Sequence, residues 1–232
     1  MSRRSLFELG ELAEVGARAL ADASAEQVIA WAVDTFGGRF CLASSFGDAV
    51  LADLVATVAP GVDVLFLDTG LHFPQTLALR DEVARTLPLR VRSVRPARTL
   101  DEQAREHGPE LWDREPQRCC ALRKVAPLAG ALGDYDAWAT GLRRDESPTR
   151  ADAPVVGLDA RRLKVKVAPL ARWTQADVDA YVDRRRLPRN ELVALGYPSI
   201  GCAPCTRPVA VGASARSGRW ARFEQTECGL HG

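Results

Sequence analysis

Long apolar runs are missing from this chain. No segment approaches the ~18 consecutive apolar residues that a membrane span needs. The stretch from Met1 to Leu20 carries an early basic pair, but Glu8, Glu11 and Glu14 interrupt its apolar residues, so it lacks the core of a signal peptide. Charge of one sign is also missing: a formal net charge of +1 offers no broad cationic face for nucleic acid. Lysine is scarce, Lys124, Lys164 and Lys166 being the whole set, and every other basic residue is arginine. Internal repeats and low-complexity blocks are absent too, which excludes repeat architectures. Together these absences predict a cytoplasmic protein with no membrane and no nucleic-acid partner.

What is present is a well-stocked core and a pointed use of sulfur. An apolar share of 47% over 232 residues suits one globular domain with a functional tail. The pattern alternates short apolar strands with amphipathic helices, the signature of an α/β fold with a mostly parallel sheet and helices on both faces. Strands are expected at Arg39 to Ala43, Val62 to Leu67, Leu89 to Val94, Ala137 to Thr140 and Lys164 to Val167. Helices are expected at Asp48 to Val58, Pro74 to Leu87, Thr99 to His107, Cys119 to Leu132 and Thr174 to Arg185. Two more, Leu6 to Ala21 and Ala25 to Thr35, should pack ahead of the first strand. From Thr206 to Gly218 periodicity gives way to Gly, Ser, Ala and Arg, which divides the chain into a domain over 1–205 and a flexible tail over 206–232.

Three segments follow strand ends, where ligands bind in open α/β sheets. Ser44-Ser45-Phe46-Gly47-Asp48 offers hydroxyls and backbone N–H groups to an anion, although serine there also suits a helix cap. Leu67-Asp68-Thr69-Gly70 precedes Pro74, so Asp68 or Thr69 can face a nucleotide, cap the next helix, or both. The loop from Gly141 to Arg150 packs Arg143, Arg144 and Arg150 together, fit either for phosphate or for plain solvation.

Four of the six cysteines fall into two pairs, Cys119-Cys120 and Cys202-x-x-Cys205, while Cys228 lies near the end of the sequence. In a reducing compartment such pairs bind metal or do chemistry more often than they form disulfides. Adjacent cysteines are awkward as two ligands of one tetrahedral ion, whereas separate iron corners relax that demand, so iron-sulfur is favoured over zinc with both left open. Cys41, in mid-strand, reads as a small buried hydrophobe.

The segments Arg118 to Val125, Tyr197 to Cys205 and Glu227-Cys228-Gly229-Leu230-His231, in this order, closely resemble the bacterial assimilatory adenylyl-sulfate (APS) reductases, thioredoxin-dependent members of the phosphoadenylyl-sulfate (PAPS) reductase family. The resemblance runs from about Phe40 to His231 and implies a Rossmann-like fold of the adenine nucleotide alpha hydrolase type. It implies that Cys119, Cys120, Cys202 and Cys205 hold a 4Fe-4S cluster and that Cys228 is the nucleophile. It also implies that Ser44, Ser45, Asp48, Leu67, Asp68, Thr69, Gly70, Arg143, Arg144 and Arg150 belong to the nucleotide-binding elements, and that Lys124, Arg216, Arg219 and His231 surround the phosphosulfate. The implied activity reduces APS to sulfite and AMP through an S-sulfocysteine, with reduced thioredoxin as partner; homo-oligomerisation is compatible with the sequence. Gln225 stands where the family usually has lysine, Ser214 where it has an acidic residue, and Phe46-Gly47 departs from the glycine-rich first turn of the wider superfamily. The competing readings are PAPS reduction by the same chemistry, a tRNA-thiolating iron-sulfur enzyme, and a non-catalytic zinc protein.

Overall fold

The alternating facing of side chains along β1 (Phe40–Ser44) sets the layers of the molecule. Phe40 and Leu42 face one side of the sheet and Cys41 the other, as the two-residue period of a strand requires. The computed structural model describes residues 4–223, 225 and 227–230. Among these, β1 joins β2 (Asp63–Leu67), β3 (Arg90–Val94), β4 (Ala137–Thr140), β5 (Val156–Asp159) and β6 (Lys164–Val167) in a six-stranded sheet ordered β3-β2-β1-β4-β6-β5. All pairings are parallel except β5 with β6. The α/β fold with a mostly parallel sheet is therefore as expected. β5 is an addition: an edge strand, Val-Gly-Leu-Asp, in which Gly157 and Asp159 are poor strand formers and mask the pattern.

The larger core lies against α1 (Leu6–Ala19), α2 (Ala25–Phe36), α3 (Val50–Val58), α4 (Pro74–Thr86) and α9 (Gln175–Arg185). Capping boxes start three of these helices, with Ser5 and Glu8, Ser24 and Gln27, and Thr174 and Asp177. Each such cap contributes about 1 kcal/mol. The smaller core, on the opposite face, gathers Cys41, Leu65, Tyr135 and Trp138 with Leu128 and Leu132. Burial raises the Cys41 thiol far above its ordinary value, in keeping with a purely structural role.

Between β3 and β4 in the chain come α5 (Leu100–His107), α6 (Leu111–Arg114), α7 (Pro116–Cys120) and α8 (Ala126–Ala131), the last packing through Leu128 on the smaller core. The sequence predicts one helix from Cys119 to Leu132, but the chain widens into a π-helical turn over Ala121–Val125. Pro127 explains the break, because it has no N–H to offer the carbonyl four residues back and its ring crowds that turn. The Ala126 N–H reaches instead to the Ala121 carbonyl, five residues back. Both Arg123 and Lys124 are turned inward as a result.

From β1 the chain steps outward to β2 and β3, whereas from β4 it steps the other way to β6. The order reverses between β1 and β4, and that reversal opens a crevice beyond Ser44 and Thr140.

Candidate functional site

At this switch point a cleft of about 380 Å³ reaches from the end of β1 to the C-terminal segment. Ser44, Ser45, Asp48 and Leu67 line it. Ser44 Oγ accepts the Phe46 N–H at 3.2 Å, and Asp48 Oδ1 accepts the Val50 N–H at 2.9 Å. Burial raises the Asp48 carboxyl above its ordinary range, against the hydrogen bond from Val50 and the charge of Arg143. Phe46 holds a left-handed backbone, φ +51°, with its ring fully buried against Phe66 at 5.6 Å. Such a conformation costs a non-glycine residue on the order of 1 kcal/mol, offset here by the buried ring.

The next segment is partly diverted from the cleft. Asp68 accepts from the Gly70 N–H and pairs with Arg95, and Thr69 is wholly buried with its Oγ1 3.3 Å from Cys202 Sγ. Gly70 takes a φ of +72°, which only glycine adopts without strain. Neither Asp68 nor Thr69 caps α4, whose N-cap is Phe73 with no side-chain bond. Of these sequence candidates, only Leu67 reaches the cleft wall; Asp68, Thr69 and Gly70 do not line it.

The arginine loop divides similarly. Arg143 lines the cleft and donates to Asp145 and to Gln175 Oε1 at 2.7 Å. Arg144 is not on the wall: its Nε donates to the Ala153 carbonyl at 2.9 Å. Arg150 is on the wall, and two parallel bonds of 2.7 Å join its Nε and Nη2 to the Glu227 carboxylate.

The sulfurs gather at the other end of the cleft. Cys119 and Cys120 end α7, and Cys202 pairs with His72 in a short antiparallel bridge. The Ala203 N–H donates to the Leu71 carbonyl at 2.7 Å, and the Cys205 N–H to the Cys202 carbonyl at 3.0 Å. Burial raises the thiol of Cys119 to about 11 and that of Cys205 to about 12, with neighbouring sulfurs pushing the same way. Cys202 runs opposite: burial works against ionisation, but Lys124, Thr69 and Arg219 outweigh it and lower the thiol. Among the described residues, no three or more His, Cys, Asp or Glu side chains converge at the spacing that holds a metal ion. All four paired cysteines are free thiols within electrostatic reach of one another, a donor set of the soft kind that zinc and iron take.

Lys124 sits between these sulfurs and the cleft. Burial opposes its charge, but Cys202, Cys120 and Cys228 overcome that and raise it above the ordinary lysine value. Arg219 approaches from the far side, donating to the Ile200 carbonyl at 3.2 Å with its guanidinium over the Trp220 ring. Gly201 leaves it room, since a Cβ there would stand 2.3 Å from Arg219 Nη2. Arg216 lines the cleft too and donates to Glu227 at 3.2 Å.

After Cys205 the chain returns on itself. The Arg207 N–H donates to the Gly218 carbonyl and the Trp220 N–H to the Cys205 carbonyl, at 2.9 and 3.0 Å. The last described residues then bring the half-buried Cys228 to the cleft wall with Leu230, whose side chain packs on the smaller core. Gln225 Nε2 donates to the Glu227 carbonyl at 3.0 Å and lies 3.9 Å from Cys120 Sγ. His231 lies outside the described residues.

Sequence reasoning missed several groups here. His72 lines the cleft with Nε2 2.8 Å from the Leu67 carbonyl, and burial lowers its ring below the ordinary histidine value. Asn190 is buried and binds the Phe46 carbonyl and Thr76, fixing the first turn from a distant part of the sequence. Glu227 is the anion that the arginines hold. No local pattern marks any of these, although Glu227 stands inside the motif that contains Cys228.

The family model for the phosphoadenosine phosphosulfate reductase domain matches residues 39–208. The chain is 54% identical over 229 residues to the adenosine 5'-phosphosulfate reductase of Streptomyces coelicolor, covering 99% of this chain and 97% of that one. It is 52% identical to the protein of the same name from Mycolicibacterium smegmatis, covering 97% and 95%. Among solved structures, the phosphate complex of phosphoadenylyl-sulfate (PAPS) reductase from Candida auris superposes with a TM-score of 0.70 at 31% identity, over 89% of this chain and 98% of that one. The FMN adenylyltransferase of Candida glabrata, with FAD and pyrophosphate, shares the fold at a TM-score of 0.58 and 13% identity, over 86% and 75%.

Proposed function

The chain belongs to the phosphoadenosine phosphosulfate reductase family, and from that premise we propose that it reduces adenylyl sulfate to sulfite and AMP in sulfate assimilation and cysteine biosynthesis. The observation that carries this reading is the placement of Cys228 on the wall of a nucleotide-sized cleft that Lys124, Arg216 and Arg219 also line.

The Cys228 thiolate attacks the sulfate sulfur of APS. A sulfur–sulfur bond forms, the bond from sulfur to the bridging oxygen breaks, and its electron pair leaves with AMP. AMP needs no proton to depart, so the demand on the site is positive charge around the phosphosulfate, which the two arginines and Lys124 supply. A thioredoxin thiolate then attacks the Cys228 sulfur and expels sulfite with its electron pair; the second thioredoxin thiol resolves the mixed disulfide. Ser44, Ser45, Asp48 and Leu67 hold the nucleotide, with Asp68, Thr69 and Gly70 shaping that wall, while Arg143 and Arg150 serve the anionic end and Arg144 braces their loop. His231 is assigned to the phosphosulfate by family resemblance alone.

Cys119, Cys120, Cys202 and Cys205 would hold the 4Fe-4S cluster, supported by the soft donor set and by their mutual electrostatic reach. When bound, it supplies a compact charged body beside Lys124, while the electrons of the reaction come from thiols. Within the tail, the segment that carries Cys228 must swing away after the first step, because Cys228 is half-buried and thioredoxin is a protein. Reaction with a thiol-reduced partner suits the cytoplasm, and no helix among the described residues is long and apolar enough to cross a membrane.

An anaerobic assay tests the proposal directly. Sulfite release should depend on thioredoxin and on APS, with PAPS a poor substitute. Labelled APS should leave a stable sulfonate on the wild-type chain and none on Cys228→Ser. Labelling of the serine variant would remove Cys228 from its role, and faster turnover on PAPS would reassign the substrate.

A further inference from the structure

Behind Leu230 lies a second cavity of about 360 Å³, bordered by the hairpin of β5 and β6. Most of its lining is small or apolar, including Ala153, Pro154, Gly157 and Ala168, yet Arg162 and Lys166 open onto it. Arg162 sits in the hairpin turn, where its N–H bonds back to Asp159 and the next residue, Leu163, takes a φ of +54°. That turn sends the guanidinium inward until only 4% of the side chain is exposed.

The hydrogen bonding of this guanidinium is one-sided. Nη1 donates to Asp159 Oδ2 at 2.7 Å and to the Leu230 carbonyl at 3.2 Å. Among the described residues, Nε and Nη2 are buried and meet no acceptor. These two nitrogens form the side edge of the guanidinium fork, the edge that receives two oxygens of one anion in parallel bonds. Unsatisfied charged donors are rare in protein interiors and call for a partner. Lys166 adds a second cation: its Nζ lies 5.5 Å from the Trp138 ring centroid, and Arg162 Cζ lies 5.7 Å from that same centroid. Arg161 is a third cation on the lining, so the single Asp159 carboxylate offsets one positive charge of three.

We propose that this cavity is a second anion site, distinct from the cleft that holds Cys228, and that it takes a small inorganic oxyanion of sulfur or phosphorus. The free edge of Arg162 receives two oxygens, and the Lys166 ammonium meets a third, which a planar carboxylate does not have. Leu230 forms a wall of both cavities, so the ligand rests against the same short segment that carries the nucleophile. The site does not depend on the chemistry proposed for Cys228.

Crystals of the full chain soaked in selenate locate the site by anomalous scattering. The expected result is a selenium peak at Nε and Nη2 of Arg162; selenate confined to Arg216 and Arg219, or absent from the cavity, overturns the proposal. In solution, sulfate, sulfite, phosphate and acetate are titrated calorimetrically into the chain saturated with AMP. Binding of an oxyanion should persist, distinguish the sources by affinity, and weaken roughly tenfold in Arg162→Met. Lys166→Gln, which leaves the turn intact, should weaken it severalfold and decides the matter if Arg162→Met does not fold. Unchanged affinity in Lys166→Gln, or acetate binding as tightly as every oxyanion, counts against the site. Failure of AMP to bind would damage the reading of the main cleft and leave the selenate result to decide this one.

Discussion

Glu227 grips Arg150 through two parallel hydrogen bonds of 2.7 Å, across 77 residues of sequence. Arg216 adds a third bond at 3.2 Å, so the residue before Cys228 is held by two arginines that line the cleft. The carboxylate thereby fastens the tail and occupies cations that an incoming phosphosulfate would seek.

Glu227→Gln should loosen the tail. Replacing a bidentate, half-buried ion pair with a neutral amide should lower the protection of the Cys228 thiol against a small alkylating reagent by roughly tenfold, about 1.4 kcal/mol. Protection equal to wild type would show that the pair does not fasten the segment.

The same contact sets an acid limit. Burial pushes the Glu227 carboxyl up, but the hydrogen bond from Arg150 and the charges of Arg150 and Arg216 outweigh it, so the group titrates below its ordinary 4.5. A depressed carboxylate contributes stability that is complete above the unfolded value and lost as pH falls through the folded one. The tail should stay fastened through neutral pH and release only in acid. Carbon-detected NMR of the Glu227 carboxyl checks this: a midpoint at or above 4.5 contradicts it.

Gly201→Ala separates binding from stability. The added methyl would stand 2.4 Å from Arg219 Cζ, and the flexible guanidinium can retreat. Melting should shift by less than the equivalent of ~1 kcal/mol, while KM for APS rises roughly tenfold if the proposed contact of Arg219 with the phosphosulfate is lost. A large drop in melting temperature with unchanged KM would reverse the assignment.

On the proposed ligand set, Cys205→Ser should prevent the chain from holding iron. With one of four thiolates gone, anaerobic reconstitution should yield well under half the iron and labile sulfide per chain found in the wild type, whatever the activity. Full iron content in this variant, or zinc in place of iron in both, would refute the ligand set.

Much of the scaffold was legible because its signals are local. β4 and β6 span the ranges expected of them, Ala137–Thr140 and Lys164–Val167, and Thr99 and Thr174 cap their helices as the four-residue pattern demands. The π-helical turn was not legible, because Pro127 announces a disturbance without saying whether the helix stops, kinks or widens. The first turn shows a different limit: Phe46 occupies a backbone region suited to glycine, and only the tertiary packing of its ring makes that tolerable. The cysteine pairs were conspicuous, yet what stands between them and the cleft, Lys124 turned inward with Arg219 opposite, depends on contacts that no spacing encodes.

The pinch formed by Arg207 and Gly218 also separates distance along the chain from distance in space. Because the strand-like pairing of Thr206 with Arg219 closes a loop whose tip, 210–215, is exposed throughout, extra residues spliced into that tip would bulge outward. The arrangement insulates the reactive end of the molecule from length changes a few residues upstream, and it makes the tip a convenient place to graft a reporter peptide.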